Sequence, residues 1–483
     1  MLLPIIIPII SGFILPFIKL EDKVRNIYVL CMAILTSCMV FFTCSKFYNA
    51  PINLLTLNNI FNISFKIDNF SKVFMYLLAV LWPITSIYAF GYMKHLENVT
   101  SFFRYFLIAY GVALAVPMSA NAITMYLFYE LLTFATLPLI MHEMEDKQVL
   151  HAGKIYLICS ILGASMALIG IIILSSMTGT TDFVFGGNQI TNFEFANYNQ
   201  VGYMLCFFGF SVKAALFPFT FWLPKAGVAP TPVTALLHAV AVVKAGVFAV
   251  MRMTYFGYDL NGIRGTYAQV IPMIFAIVTI VYASFMAVRA QNLKVRFAYS
   301  TASNLSYILL TAVCMSDTGM VASLTHMISH AVIKISIFFI VGAFLVTYHM
   351  KTIDDIKGIG NKLPISSACF VISSLGLIGI PLTCGFISKY YIITSLIDGH
   401  SIFTTLGILA IVVSSILTVI YTMTIVIKMY FPGNNFDYQE VRDLKEVPNL
   451  MLVPIVLTTI GVVALGLFSS QFIEFFKLIA QGI

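Results

Sequence analysis

Charge is what this sequence has least of. Aspartate, glutamate, lysine and arginine make up 10% of the 483 residues, where a soluble domain carries about 25%. With 60% hydrophobic residues and a mean hydropathy of +0.96, the composition excludes an ordinary soluble fold and implies a bilayer. Eight cysteines (31, 38, 44, 159, 206, 314, 369 and 384) form no CxxC pair and lie mostly in apolar runs. They read as small buried apolar residues, not as a disulfide or metal framework. No GxGxxG, Walker or haem-attachment motif occurs, so no cofactor site is expected in the chain itself. The opening MLLPIIIPIISGFILPFI lacks a charged n-region and a small-residue cleavage site, and reads as a first span. The net charge of +7 is expected from basic loops beside a membrane, and no nucleic-acid partner is implied.

What the sequence has in abundance is apolar runs of about 20 residues, the length that crosses a bilayer. They lie near 2–18, 26–45, 70–92, 102–119, 121–142, 152–177, 200–224, 228–251, 267–288, 296–316, 319–348, 364–395, 402–430 and 448–469. The reading is an all-α polytopic membrane protein with 14 spans. Between spans, 46–69 alternates enough to predict a short external hairpin, 178–199 is polar, and 431–447 holds the densest loop charge. With the N-terminus outside, 17 of the 27 Lys and Arg fall in cytoplasmic loops, Lys294 and Arg296 among them. Six fall outside, Arg252 among them, which is the bias of the positive-inside rule. The expected setting is a prokaryotic cytoplasmic (inner) membrane with both termini outside. Four lysines and one acid are left inside spans: Lys213, Lys244, Lys334, Lys389 and Glu130.

A charge at the bilayer centre costs about 3 kcal/mol or more unless it lines a polar path. Glu130 lies two turns into its span, too deep to read simply as an interfacial residue. A Glu–Lys pair is a switch, because protonating or withdrawing the carboxylate makes the lysine release its proton. Lysine suits this task where arginine would stay charged. In the run from Phe210 to Arg252, Lys213 precedes interruptions at Pro218, Trp222 and Pro224, and His238 and Lys244 follow a Gly/Pro-rich turn. Lys213 and Lys244 are one helical hairpin apart and are expected to face each other. The plainer reading of each is a structural ion pair, or a hydrogen bond to carbonyls freed at the break. In LTHMISHAVIKISIFF, His326, His330 and Lys334 stand at i, i+4 and i+8 on one helical face. A lone histidine here would read as a helix–helix hydrogen-bonder, but three proton-exchanging groups in register read as a relay. A second interruption at Gly379, Pro381 and Gly385 precedes Lys389. Paired interrupted spans in two halves of a chain are the sign of a transporter built from inverted repeats. Here each repeat would have five helices, one of them broken. The implied organisation is 1–95 for the first three helices, 96–254 and 255–432 for the two repeats, and 433–483 for a loop and last helix.

The run KAALFPFTFWLPKAGVAPTPVTALLHAVAVVKAG resembles a family of antiporter-like subunits. These are shared by respiratory complex I, energy-converting membrane-bound hydrogenases and Mrp-type sodium/proton antiporters. FYELLTFATLPL looks like the glutamate helix of that family, and NLKVRFAYSTASNLSYILL like its loop-and-helix signature. HAVIKISIFFIVGA and PLTCGFISK look like its second-half lysine helices, so the resemblance spans about residues 70–430. It implies fourteen helices and two inverted repeats. It also implies a charged axis at the membrane midplane, Glu130 paired with Lys213 and followed by Lys244, Lys334 and Lys389, with Lys389 on the exit side.

Three functions follow from these readings. The first is an H+ or Na+/H+ translocating, non-redox subunit of a redox-driven complex, either a membrane-bound hydrogenase or a complex I-like oxidoreductase. Iron–sulfur clusters, with flavin, a NiFe centre or quinone as further candidates, would then sit in partner membrane and peripheral subunits. The second is a subunit of a stand-alone Mrp-type antiporter without redox partners. The third, an inert membrane anchor, has no use for four buried lysines against one acid.

Overall fold

The structure is a computed structural model that describes residues 1–56, 61–143, 146–434, 436–439 and 441–483. The chain opens with α1 (Leu3–Ile14) and α2 (Asp22–Lys46), then a hairpin of β1 (Ile52–Thr56) and β2 (Asn62–Phe65). The antiparallel pairing of β1 with β2 bears out the expected hairpin, whose turn at 57–60 lies outside the described residues. Next come α3 (Asn69–Tyr92), α4 (Val99–Met118), α5 (Ala122–Ile140), α6 (Lys147–Thr178) and α7 (Asn199–Ser211). The short α8 (Trp222–Ala226) and α9 (Thr231–Ala235) lead through a π-turn at Leu236–Val240 into α10 (Val242–Arg252). The second half holds α11 (Tyr267–Arg289), α12 (Leu293–Ala312), α13 (Asp317–Tyr348), α14 (Pro364–Ile378), α15 (Cys384–Ile397), α16 (Ile402–Tyr430), α17 (Asn449–Leu467) and α18 (Ser469–Ala480). Among the described residues, ten helices are long and apolar enough to cross a membrane, with α9 to Gly257 taken as one, and three shorter apolar helices accompany them.

Short polar residues start these helices by accepting their free N–H groups. Asp68 accepts from Ser71 N at 2.8 Å and Asn121 from Thr124 N at 2.7 Å, while Ser401 and Thr404 form a reciprocal capping box. Between helices, small residues allow close approach where lipid supplies no hydrophobic drive. A Cβ on Gly163 would come within 2.6 Å of the Gly209 carbonyl, and one on Gly170 within 2.6 Å of the Gly202 carbonyl, so α6 and α7 touch backbone to backbone.

The loops sort into two sets. One face carries both termini: Ile483 O accepts from Asn69 at 3.0 Å, and Phe65, Ser119, Asn121, Asp182, Asn188 and Tyr258 bridge neighbouring loops there. The opposite face holds the 290s, 350s and 440s loops. Asn292 bridges to Thr352, and Glu446 caps α14 by accepting from Ile365 N at 2.9 Å and Ser366 Oγ at 2.5 Å. Lys357 and Lys428 both bind Asp354 at 2.8 Å on this face, which holds its carboxyl down to about 2.

Both predicted interruptions are present, with shifted limits. The first runs from Val212 to the short turn at Phe219–Phe221; Pro218 lies within it after a cis peptide, whereas Pro224 sits inside α8, in a first turn that has no N–H partner to lose. The second spans Gly379 to Thr383, where Gly379 (φ +91°) and Leu382 (φ +75°) turn the chain and Pro381 blocks a helix. Gly385 is no breaker. It lies in α15 and presses on the Gly376 carbonyl. Backbone groups freed at the first break find side chains: Trp222 Nε1 donates to Val212 O at 2.7 Å, Tyr129 OH to Phe210 O at 3.0 Å, and Phe217 N to Thr279 Oγ1 at 2.9 Å.

The loop assignments of Arg252 and Arg296 change. Arg252 is buried at the end of α10, and Arg296 is buried in the first turn of α12. Arg296 donates to Ala290 O and Tyr421 O at 2.8 Å and to Val288 O at 3.1 Å, closing the carbonyl end of α11 and tying it to α16. A basic residue beside a predicted loop looks solvated in sequence, but here a helix end needs its donors. Arg296→Ala strands three carbonyls, two of them serving as helix ends. It should cost about 2 kcal/mol or more and lower the melting temperature of the detergent-solubilised protein, with Lys at 296 restoring part of it. An unchanged melt would show these carbonyls satisfied without it.

Candidate functional site

The five predicted charges stand on α5, in the break between α7 and α8, and on α10, α13 and α15. Glu130 stands midway along α5, and Lys213 sits in the break just past Ser211. Lys213 Nζ lies 3.5 Å from Glu130 Oε1, and their side chains are 1% and 15% exposed. The same ammonium donates to the Tyr129 carbonyl and rests 3.4 Å from the centre of the Tyr129 ring. A short turn of freed backbone lets the lysine reach across to α5, which a continuous helix would not.

Lys213 and Lys244 do not face each other as partners. Helix α10 abuts the break at Gly246, where a Cβ would stand 2.9 Å from Ala214 N. Lys244 Nζ instead lies 2.6 Å from His330 Nδ1 on α13. The predicted stripe on α13 is a single buried row. His326 Nδ1 meets Ser388 Oγ of α15 at 3.0 Å, and Lys334 donates to Phe297 O at 3.0 Å and Ser300 Oγ at 2.6 Å. Ser388 Oγ itself donates to Gly385 O at 3.0 Å, so it accepts from His326. Read from these bonds, an ammonium on Lys244 leaves the His330 ring proton on Nε2, while His326 keeps a lone pair on Nε2. Both Nε2 atoms are buried without partners, and the two rings are 5.9 Å apart. The tautomers are complementary, one ring offering what the other accepts.

Lys389 donates to Ile378 O at 2.7 Å and Ser415 Oγ at 3.1 Å, so its ammonium closes the carbonyl end of α14 across the second break. His238 sits in the π-turn before α10, fully buried beside the Phe338 ring at 4.9 Å, with both ring nitrogens unpartnered. π-Turns often mark functional positions. Glu130–Lys213, Lys244–His330 and His326–Ser388 are thus direct pairs, whereas Lys334, Lys389 and His238 stand apart with other neighbours.

Sequence reasoning passed over the hydroxyls between these groups. Tyr307 OH donates to Ser414 Oγ at 2.7 Å, and Ser284, Ser303 and Ser414 lie 2.5–3.1 Å from one another. Ser300 also meets Tyr421 OH at 2.7 Å. The signal was the stripe Ser300, Ser303 and Tyr307 at helical spacing in α12, a helix rich in hydroxyl side chains. Lys294, assigned to a loop, lies in α12 and donates to Ala229 O at 2.9 Å. It lines a cavity of about 460 Å³ on the opposite face, with Glu143, Tyr92, Gln148 and Lys351.

Na(+)/H(+) antiporter subunit A1 of Staphylococcus haemolyticus (strain JCSC1435) is 31% identical over 434 residues, 84% of this chain and 52% of the relative. The chain therefore spans about half the length of the curated relatives it matches. An archaeal membrane-bound sulfane sulfur reductase shares the fold at a TM-score of 0.84 and 22% identity, over 99% of this chain and 96% of that one. Respiratory complex I from Thermus thermophilus with bound NADH has a chain that matches at 0.83 and 18% identity, over 100% and 98%. The family model described as NADH:quinone oxidoreductase/Mrp antiporter, transmembrane, matches residues 119–418. With more than half of the chain matched, including every residue from Glu130 to Lys389, this multi-pass membrane protein belongs to the antiporter-like subunits of the NADH:quinone oxidoreductase/Mrp antiporter family.

Proposed function

We propose that this chain moves protons through the membrane along Glu130, Lys213, Lys244, His330, His326 and Lys389, as a subunit of a multisubunit Mrp-type sodium/proton antiporter. The observation that carries the reading is the 2.6 Å contact between Lys244 and His330 in a buried row with one carboxylate for four lysines. When Glu130 is protonated or withdrawn, Lys213 loses its counter-charge and gives up its proton towards Lys244 once Lys244 has passed its own proton on. Lys244 Nζ passes a proton to His330 Nδ1, and His330 releases the one on Nε2 towards His326 Nε2. Water or side-chain rotation spans the remaining gaps. Lys334 and His238 flank the row as reserve acceptors. Lys389 is the release site, and the cavity at Lys294 and Glu143 is the uptake side. Glu130 keeps 15% of its side chain accessible, which fits a neighbouring subunit meeting the row there.

The two broken helices support a pair of inverted five-helix repeats within 14 spans. The excess of basic loop residues supports a prokaryotic cytoplasmic membrane with both termini outside. The antiporter setting is favoured by the 31% identity to an Na(+)/H(+) antiporter subunit. The second reading, favoured by a family model that spans both classes, is a redox-driven complex. Partner subunits would then carry iron–sulfur clusters with flavin, a NiFe centre or quinone.

Sealed vesicles containing the purified complex separate these readings: uptake driven by an imposed sodium gradient alone indicates the antiporter, and uptake that needs an electron donor indicates the redox complex. In either setting Glu130→Gln and Lys213→Ala should cut transport on the order of 100-fold with assembly intact. Near-normal transport in either variant would remove both residues from the path. Lys389→Arg keeps a cation on the Ile378 carbonyl but holds its proton, so transport should fail in a folded complex. Full transport with arginine there would reduce Lys389 to a helix cap.

A further inference from the structure

On the face that carries both termini, the end of α10 above Lys244 is closed by a group that cannot relay. Arg252 follows Lys244 by eight residues, about 12 Å along the helix. It is 1% exposed, and its Nη2 lies 2.6 Å from Asp68 Oδ2. Asp68 is at the same time the cap of α3, its Oδ1 accepting from Ser71 N and Oγ at 2.8 Å, so the pair fixes the end of α10 to the start of α3. The guanidinium is packed among Phe70, Phe183 and Phe256, 5.4, 4.8 and 4.5 Å from the ring centres. Its Nε and Nη1 have no partner.

Between this charge and Lys244 lies an aromatic layer. Phe248 packs on Phe70 at 4.9 Å and Phe74 at 5.3 Å, while Phe256, one turn past Arg252, packs on Phe70 at 5.1 Å from the outer side. All four rings are buried. Outside the layer, a cavity of about 120 Å³ reaches Asp68, Phe70, Phe183 and Phe256 from the surface, with Lys66 and Asn69 in its wall. The nearby Lys72 is held by Asn69 Oδ1 at 3.0 Å. The cavity therefore opens onto Asp68, while Phe74 and Phe248 beneath it are fully buried apolar rings that hold water back. A guanidinium keeps its proton where an ammonium in the same place would exchange it, so Arg252 repels an approaching cation and passes nothing on.

We propose that Asp68 and Arg252, with Phe70, Phe74 and Phe248 beneath them, form a fixed seal that closes the Lys244 end of the row to the terminal face. Protons then have to leave through the second half of the chain. The proposal rests on the reading of Lys244 and His330 as part of a proton path.

The test is passive proton leak in proteoliposomes holding the whole complex, read with internal pyranine after an acid pulse at clamped potential, without sodium or electron donor. Arg252→Gln and Asp68→Asn should each raise the leak about tenfold; asparagine at 68 keeps the cap on Ser71 and so protects the start of α3. Adding Lys244→Ala to either should return the leak to the wild-type level. No rise in either variant overturns the seal. So does a leak that survives Lys244→Ala, which would mark a packing defect, or failure of both variants to assemble, which would mark a purely structural pair. Driven transport in Lys244→Ala alone, measured in the same vesicles, judges the proton path separately.

Discussion

Amines and freed carbonyls have to be satisfied together in a medium that offers no water. At the first break Lys213 donates to the Tyr129 carbonyl, and at the second Lys389 donates to Ile378 O. A broken helix leaves acceptors that hydrocarbon will not meet, and a buried ammonium is a set of donors with the same difficulty. Each solves the other's problem, so the interruptions and the lysines occur side by side. The only carboxylate in the row, on Glu130, can then be left loosely held at 3.5 Å, because it is not the only group keeping Lys213 in place.

Long α13 organises the rest. Its 32 residues run unbroken and nearly all buried, so residues four apart stack on one face. That face meets a different neighbour at each level: α15 through Ser388, α10 through Lys244, and α12 through Ser300. An unbroken helix with a polar stripe, met by a different helix at each level, gathers these side chains into one buried row.

Much of this was legible in the sequence. Charge is so scarce that each intramembrane residue stands out, and the spacing of His326, His330 and Lys334 fixed their shared face. The hairpin and both interruptions were visible from alternation and from proline and glycine. Which neighbour each lysine chooses was not legible, because that depends on how helices far apart in the chain cross; Lys244 turns to His330 and away from Lys213 for this reason. The limits of the breaks were misplaced, since proline in a first turn and glycine at a close contact look like breakers without being so. Arg252 and Arg296 read as loop residues because the sequence reports a charge's position in the chain but not the buried helix end or aspartate that claims it.

The Lys389 bond to Ile378 O has a further implication. One nitrogen both carries the exchangeable proton and holds α14 against α15 across Gly379 to Thr383. Chemistry and hinge then share an atom, and linkage makes their relation reciprocal. Whatever free energy the closed hinge gains from the proton, the proton gains from the closed hinge. A force that bends α14 away, arriving through its Glu446 cap on the opposite face, would be felt as a change in how firmly that proton is held.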